Sequence, residues 1–487
     1  MVDEGRTVPG QVKSPVHGRI VVVGGGISGL AAAHRLKELS PALEVTVLEA
    51  GDRVGGLIGT EHTGGFTIEL GPDAILTEKP WALDLARRLG LEDQIVRTRA
   101  EYSGAYVVAR GKLERVPEGF SLVAPARLRD FARTPILSPL GKARALMDLV
   151  LPRREAASDE GLESFVVRRF GREVFDRLAQ PLVGGIYGAD PEALSLAATM
   201  PRFVDMEKKH RSLILALKAR SKAHVNEAAS GARYGLFISF ARGNGTLVDA
   251  LTKSLGATVR TKARVEDVTK HGAGYRVRLE HGEALDADAV IVALPAGLAS
   301  TVLASVDSVL SARLLGIPYG SAATVTLAWK RADIPHALDA YGFVVPLAEK
   351  REILASTWAS QKWPGRAPAD SVLIRVFFGG SEHGYTLDYD DARLIKIARR
   401  ELEGLIGVRA EPLLTRVGRY RNAAPHYLLG HRDRVAAIEE RAAENPGLWL
   451  AGNAYRGVGI PDSIHSGERA AEDAVLWLGE RAARVAG

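Results

Sequence analysis

Cysteine is absent from the chain, and that one absence removes disulfides, Cys-ligated zinc, iron–sulfur clusters, a cysteine nucleophile and a cysteinyl link to a flavin. Any redox chemistry has to belong to a cofactor held in some other way. Also missing is an apolar run near the ~18 residues that a membrane-spanning helix needs. The stretch Met1 to Gly18 lacks the apolar centre of a signal peptide, so residues 1–17 read as a flexible tail and the protein is expected in the cytoplasm. Basic residues do not alternate with aromatics as a nucleic-acid stacking groove requires. The net charge of +6 therefore reads as a solvated surface excess that mildly favours acidic partners.

What is present suits a globular chain of several substructures, since 46% hydrophobic and 25% charged residues argue against general disorder. The most informative stretch comes early. The apolar run Ile20 to Val23 breaks into Gly24-Gly25-Gly26-Ile27-Ser28-Gly29, and Leu30 to Leu39 follows with helical spacing. A second apolar run, Val45 to Leu48, stops at Glu49, about twenty residues beyond the last glycine, which completes a βαβ unit. In such a unit Gly24 permits the tight turn, Gly26 lets backbone approach a pyrophosphate, and Gly29 lets helix and strand pack closely. The helix N-terminus offers free N–H groups and a positive dipole end to phosphates. Glu49 can accept from a ribose hydroxyl and repels a 2′-phosphate, so an unphosphorylated adenosine dinucleotide is the expected ligand.

Beyond this unit the pattern changes. Residues 113–202 are helical in pattern with scattered prolines, and Glu163 to Leu178 reads as one amphipathic helix. Strand-like runs return at Asp288 to Leu294 and Leu448 to Ala451, which suggests a nucleotide domain assembled from separated stretches. Thr324 to Trp329, Tyr341 to Pro346 and Leu373 to Phe378 are rich in β-branched and aromatic residues and read as strands of a second domain. His210, His426, His431 and His465 are scattered, no side chain stands out as a catalytic base, and no metal-ligand cluster is apparent.

Glu49 through Gly56 (EAGDRVGG), with Leu448 to Asn453 (LWLAGN), Gly457 to Ser463 (GVGIPDS) and Ser466-Gly467, resembles the two ends of amine-oxidase-like flavoproteins. Within them the chain is similar to the protoporphyrinogen and coproporphyrinogen oxidases of haem biosynthesis, through Glu69 to Asp73, Phe165 to Gly171, Pro181 to Tyr187, Leu194 to Leu196 and Pro201 to Phe203. Gly141 to Arg144 and Lys209 to Leu215 resemble the Gram-positive branch, which acts mainly on coproporphyrinogen III. The resemblance implies an α/β fold: a Rossmann-like FAD-binding domain (18–75, 236–305 and 436–487), a mixed α+β substrate domain (76–112, 203–235 and 306–435) and the helical insertion 113–202. It further implies a six-electron oxidation of a porphyrinogen, dioxygen as acceptor, hydrogen peroxide as by-product and a downstream chelatase as partner.

Carried over residue by residue, the resemblance assigns FAD to Gly24, Gly25, Gly26, Ile27, Ser28, Gly29, Glu49, Arg53, Gly56, Gly71, Pro72, Asp73, Ala74, Val265, Tyr420, Val458, Gly459 and Ile460. It assigns the macrocycle to Gly185, Ile186, Tyr187, Tyr341, Gly342, Val344 and Phe377. Tyr420 stands where the branch has tryptophan, and Ala424-Pro425-His426-Tyr427 replaces Met-Pro-Gln-Tyr. The carboxylate-binding arginine of some eukaryotic relatives falls near Ala105 or Tyr106 and is missing; the resemblance aligns Lys79 with a basic pocket residue of the Gram-positive branch and so implies it as the propionate anchor. Relatives bind membranes through the helical insertion, whose basic residues Arg127, Arg129, Arg133, Lys142, Arg144, Arg153 and Arg154 suit an anionic surface. Two enzymatic alternatives share the end motifs, a flavin amine oxidase and a carotenoid-type desaturase, and a non-catalytic flavoprotein-derived binding module stands outside the enzymes.

Overall fold

Four consecutive apolar residues ahead of the glycine turn form β1 (Arg19–Val23), which passes into α1 (Ile27–Leu39) and β2 (Glu44–Leu48). The computed structural model describes residues 16–155, 158–223, 237–381 and 383–486. Most of the expected tail lies outside them, and Val16 is already buried. A run as uniformly apolar as β1 has to be covered on both faces. Ile20 and Val22 face one core with α1 and the C-terminal helix Ile460–Ala486, while Val21 and Val23 face a second core with the helices Ala296–Leu303, Ser308–Leu315 and His431–Ala443. Five parallel strands make the sheet, in the order Val259–Arg260, β2, β1, Ala289–Val292, Leu448–Leu450.

A seven-stranded, mostly antiparallel sheet forms the second layer, ordered Leu414–Pro425, Tyr319–Lys330, Ser371–Gly379, Ala355–Trp358, Gly342–Val344, Tyr106–Ala109, Lys112–Arg115. Alternation decides its two faces. Val325, Leu327, Trp329, Ile374, Val376 and Phe378 pack on the helix Asp391–Ile406. The opposite face carries Tyr420, Thr324, Arg375, Phe377 and Val344, brought together by the pairs Thr324↔Phe377, Phe377↔Ala355 and Ala355↔Val344.

The third unit is helical, and it differs from the sequence expectation in two ways. The expected single helix over 163–178 is broken at Gly171, whose φ of 91° favours glycine; Leu162–Phe170 ends there and a π-helical turn, Phe175–Ala179, follows. The unit also runs past residue 202, because Phe203, Leu213, Ile214 and Leu217 belong to its core. A buried ion network explains the attachment: Asp148 accepts from Arg169 Nε (2.7 Å), Ser212 Oγ (2.6 Å) and the Ile214 N–H (3.0 Å). Likewise Ala82, Leu85, Ala86 and Leu91, expected with the substrate domain, pack into the α1 core. Residues 224–235 of the expected substrate domain, and 236 at the edge of the expected FAD-binding domain, lie outside the described residues.

Candidate functional site

At the end of β1 the glycines differ in surroundings. A Cβ on Gly29 would lie 2.0 Å from the Gly24 carbonyl oxygen, so helix and strand touch there, whereas one on Gly26 would meet nothing within 4 Å. The turn is thus tight behind and open in front, at the N-terminus of a thirteen-residue helix whose first turn holds Ile27 and Ser28, both buried. That is the cradle a pyrophosphate requires. Glu49 is fixed beside it: Oε2 accepts the Gly25 N–H at 2.9 Å and Oε1 the Gly51 N–H at 2.7 Å. The Ala263 N–H reaches the Glu49 carbonyl (2.8 Å), which sets the start of the strand Val265–His271 against this corner.

Arg53 turns its guanidinium onto its own loop, donating to the carbonyls of Val54 and Ile58 (3.1 Å each) and Gly56 (2.8 Å). It thereby shapes the Gly55–Gly56 bend, whose Gly55 N–H donates to the Gly25 carbonyl at 2.8 Å. Farther along, the 71–74 segment is held from below. A Cβ on Gly71 would sit 1.8 Å from the Leu57 carbonyl oxygen. Asp73 accepts from Lys362 Nζ at 3.0 and 3.1 Å and from Trp363 Nε1 at 3.4 Å. Burial pushes the Asp73 carboxyl up, but Lys362, the Arg375 charge and the Trp363 N–H together outweigh it and the net shift is downward. Glu69 pairs with buried Arg366 at 3.2 Å, and its own burial pushes its carboxyl up.

The segment Asn453 to Gly459 is anchored through Tyr427, which is 2% exposed; its hydroxyl donates to the Asn453 carbonyl and accepts from the Gly457 N–H, both at 2.7 Å. Val458 and Gly459 then lead into the C-terminal helix at Ile460. Lys79 meets this helix directly, its Nζ 2.5 Å from Asp462 Oδ1. The expected propionate anchor is therefore already ion-paired, at the start of the C-terminal helix, and any carboxylate must share it with Asp462. Tyr420 sits on the open sheet face and donates its hydroxyl to the Leu70 carbonyl.

Of the expected macrocycle residues, Val344 and Phe377 share the open face with Gly342, through the Gly342↔Thr357 and Thr357↔Arg375 pairs. Tyr341 is buried, with its hydroxyl on the Arg99 carbonyl at 2.9 Å, so it ties down the loop ahead of the strand Tyr106–Ala109. Gly185 and Tyr187 lie on the helix Gln180–Tyr187; the Tyr187 hydroxyl donates to the Thr199 carbonyl at 3.0 Å, and the side chain of Ile186 lies outside the described residues. Sequence reasoning missed Arg375 and Lys362. Arg375 carried a signal, a charge in the middle of the apolar strand VLIRVFF. Burial pushes the imidazoles of His426, His431 and His465 down, towards the neutral form, and His465 stacks on Trp81 at 3.9 Å. Among the described residues no cluster of metal-ligating side chains occurs and no helix is long and apolar enough to cross a membrane.

A family model described as flavin containing amine oxidoreductase matches residues 27–475. The coproporphyrinogen III oxidase of Bacillus subtilis strain 168 is 35% identical over 455 residues, 92% of this chain and 96% of that protein. The chloroplastic protoporphyrinogen oxidase of Nicotiana tabacum is 30% identical, over 90% of this chain and 82% of its own. A crystal structure of a protein from Exiguobacterium sp. 255-15 superposes with a TM-score of 0.84 at 31% identity, covering 96% of this chain and 100% of that one. Reduced UDP-galactopyranose mutase, at 17% identity and a TM-score of 0.71 over 95% of this chain and 96% of that one, shares the fold alone.

Proposed function

The chain belongs to the flavin containing amine oxidoreductase family, and from that footing we propose that it is an FAD-dependent porphyrinogen oxidase of haem biosynthesis. The observation that carries the reading is similarity to coproporphyrinogen III oxidase along 92% of the chain. FAD is the cofactor and supplies two-electron acceptance at its N5. Removing six hydrogens from a porphyrinogen takes three such steps, and three dioxygen molecules returned as hydrogen peroxide balance them.

The protein's own share is placement and exclusion of water. The glycine turn and Glu49 hold the adenosine diphosphate end, Gly71 to Ala74, Tyr420 and Val458 to Ile460 border the ring end, and Val265 lies beside the adenine corner. Phe377, Val344 and Gly342 on a sheet face, with the helix that carries Gly185 and Tyr187 packed beside the strand Gly342–Val344, offer an apolar surface to a flat macrocycle. The meso carbon is activated by its flanking pyrroles, whose protons pass to water, so no side-chain base is required. Lys79, held by Asp462, takes a propionate. Arg115 and the loop near Ala105 offer no substitute there, since Arg115 donates to the Asp339 carbonyl at 2.5 Å.

Peripheral membrane attachment rests on apolar more than on basic residues. Arg144 donates to the carbonyls of Val167, Arg168 and Arg169, Arg127 pairs with Glu118 and Arg154 with Glu160, so much of the basic segment serves the fold. Leu140 (83% exposed), Met147 (45%) and Val150 (68%) remain outward on that unit.

Porphyrin fluorescence during aerobic incubation of FAD-loaded protein with each porphyrinogen, corrected for spontaneous oxidation, tests the reading. Faster coproporphyrin formation is expected. Faster protoporphyrin formation would move the enzyme to the later step, and no enhancement with either would return it to the amine-oxidase or binding-module readings.

A further inference from the structure

Among the described residues three arginines are buried: Arg169, Arg366 and Arg375. Arg169 faces Asp148 and Glu207, and Arg366 faces Glu69. Arg375, 7% exposed, has no carboxylate within ion-pair distance among the described residues. Its partners are neutral oxygens: Nη1 donates to the Gly71 carbonyl at 2.5 Å, and Nη2 to the Tyr420 hydroxyl at 2.9 Å and to Thr324 Oγ1 at 3.4 Å. Its Nε is buried with no partner. Asp73, the carboxylate near enough to feel this charge, is engaged by Lys362.

Two carboxylates, Asp73 and Glu69, against three cations, Lys362, Arg366 and Arg375, leave this corner with one excess positive charge, and burying an unpaired charge is costly unless an anion arrives. Gly71 and Tyr420 border the ring end of FAD, and Phe377, over whose ring the guanidinium lies at 5.3 Å, shares the same face. We infer that Arg375 is the counter-charge for the flavin ring, stabilising the electron-rich reduced form through the Gly71 and Tyr420 edge of the site. The inference concerns FAD alone, so it survives or fails independently of which porphyrinogen is oxidised.

Two flavin measurements on purified holoprotein test it without substrate: sulfite affinity, read as bleaching of the flavin absorbance, and the two-electron midpoint potential. Arg375→Gln is expected to weaken sulfite binding at least tenfold and to lower the potential by about 30 mV, the equivalent of a tenfold change. Arg375→Lys, which keeps the charge, should stay within threefold of wild type. Should the glutamine variant not fold, Thr324→Asp supplies the guanidinium with a carboxylate at a position now 3.4 Å away, and is expected to shift both readouts in the same direction. Unchanged affinity and potential in the neutralised variants would overturn the inference. So would a rise in KM for porphyrinogen with both flavin readouts unmoved, which would give the guanidinium to a substrate carboxylate instead.

Discussion

Glu49 uses both carboxylate oxygens as acceptors for backbone N–H groups, so an amide in its place must turn its NH2 towards one of those donors. A buried or half-buried donor left without an acceptor costs about 1–3 kcal/mol. Glu49→Gln is therefore expected to weaken FAD binding by roughly tenfold or more, measured by titrating apoprotein with FAD. At Lys79 the pairing with Asp462 sets a different expectation. The lysine side chain is 39% exposed, which limits the pair to about 0.5–1 kcal/mol. Lys79→Ala and Asp462→Asn should each loosen FAD by less than tenfold, and the double variant by no more than either alone. Lys79→Ala should also raise KM for porphyrinogen more than it lowers kcat; unchanged kinetics would remove Lys79 from the substrate site. The glycine turn and Glu49 were readable in sequence because their spacing is local. The role of Arg53 was not, since three carbonyls of one bend claim its donors, and neither was the isolation of Arg375, which depends on which strands flank it.

Helix contacts and caps carry expectations of their own. The C-terminal helix lies against α1 so closely that a Cβ on Gly467 would stand 2.0 Å from the Ser28 carbonyl oxygen. Gly467→Ala should cost about 1–3 kcal/mol in urea unfolding, and FAD affinity should fall with it as the phosphate-facing helix end moves. Asp307 caps the helix Ser308–Leu315, accepting the Val309 and Leu310 N–H groups at 3.0 and 2.9 Å, with Arg441 and Asn445 on its other oxygen. Burial opposes its ionisation, yet these donors hold its carboxyl down at about 2. A carboxyl depressed below its unfolded value of about 3.9 stabilises fully above that value and loses the contribution as pH falls towards about 2. Asp307→Ala should cost about 1–2 kcal/mol at neutral pH, and the gap to wild type in urea unfolding should narrow between about pH 4 and about pH 2. Strands were legible from their β-branched and aromatic residues, as in Thr324 to Trp329, whereas which face each residue takes was not. The break at Gly171 was not, because helical periodicity continues through it and only the backbone angle reveals the interruption.

At the scale of the whole molecule, flotation with anionic vesicles tests the outward apolar residues of the helical unit. The paired substitution Leu140→Glu and Val150→Glu should abolish lipid association while leaving FAD content unchanged. Failure of the unaltered protein to float would remove membrane attachment from the account. The division into units was only partly visible in sequence, since the helices Pro201–His210, Leu213–Ala223 and Trp81–Arg88 join cores built from distant segments, and no local pattern states which core a helix will choose. The parallel sheet has a further consequence, for biosynthesis. Its central strand, β1, is synthesised well before its neighbour Ala289–Val292 and before the helix covering α1, which begins at Ile460. At roughly 5–20 residues per second, the nascent chain spends tens of seconds with its glycine turn made and its walls unmade. Cofactor capture is then expected as a late event, and a truncation after residue 450 would release a chain that carries every glycine of the β1–α1 turn without the helix that covers α1, and is expected not to retain FAD.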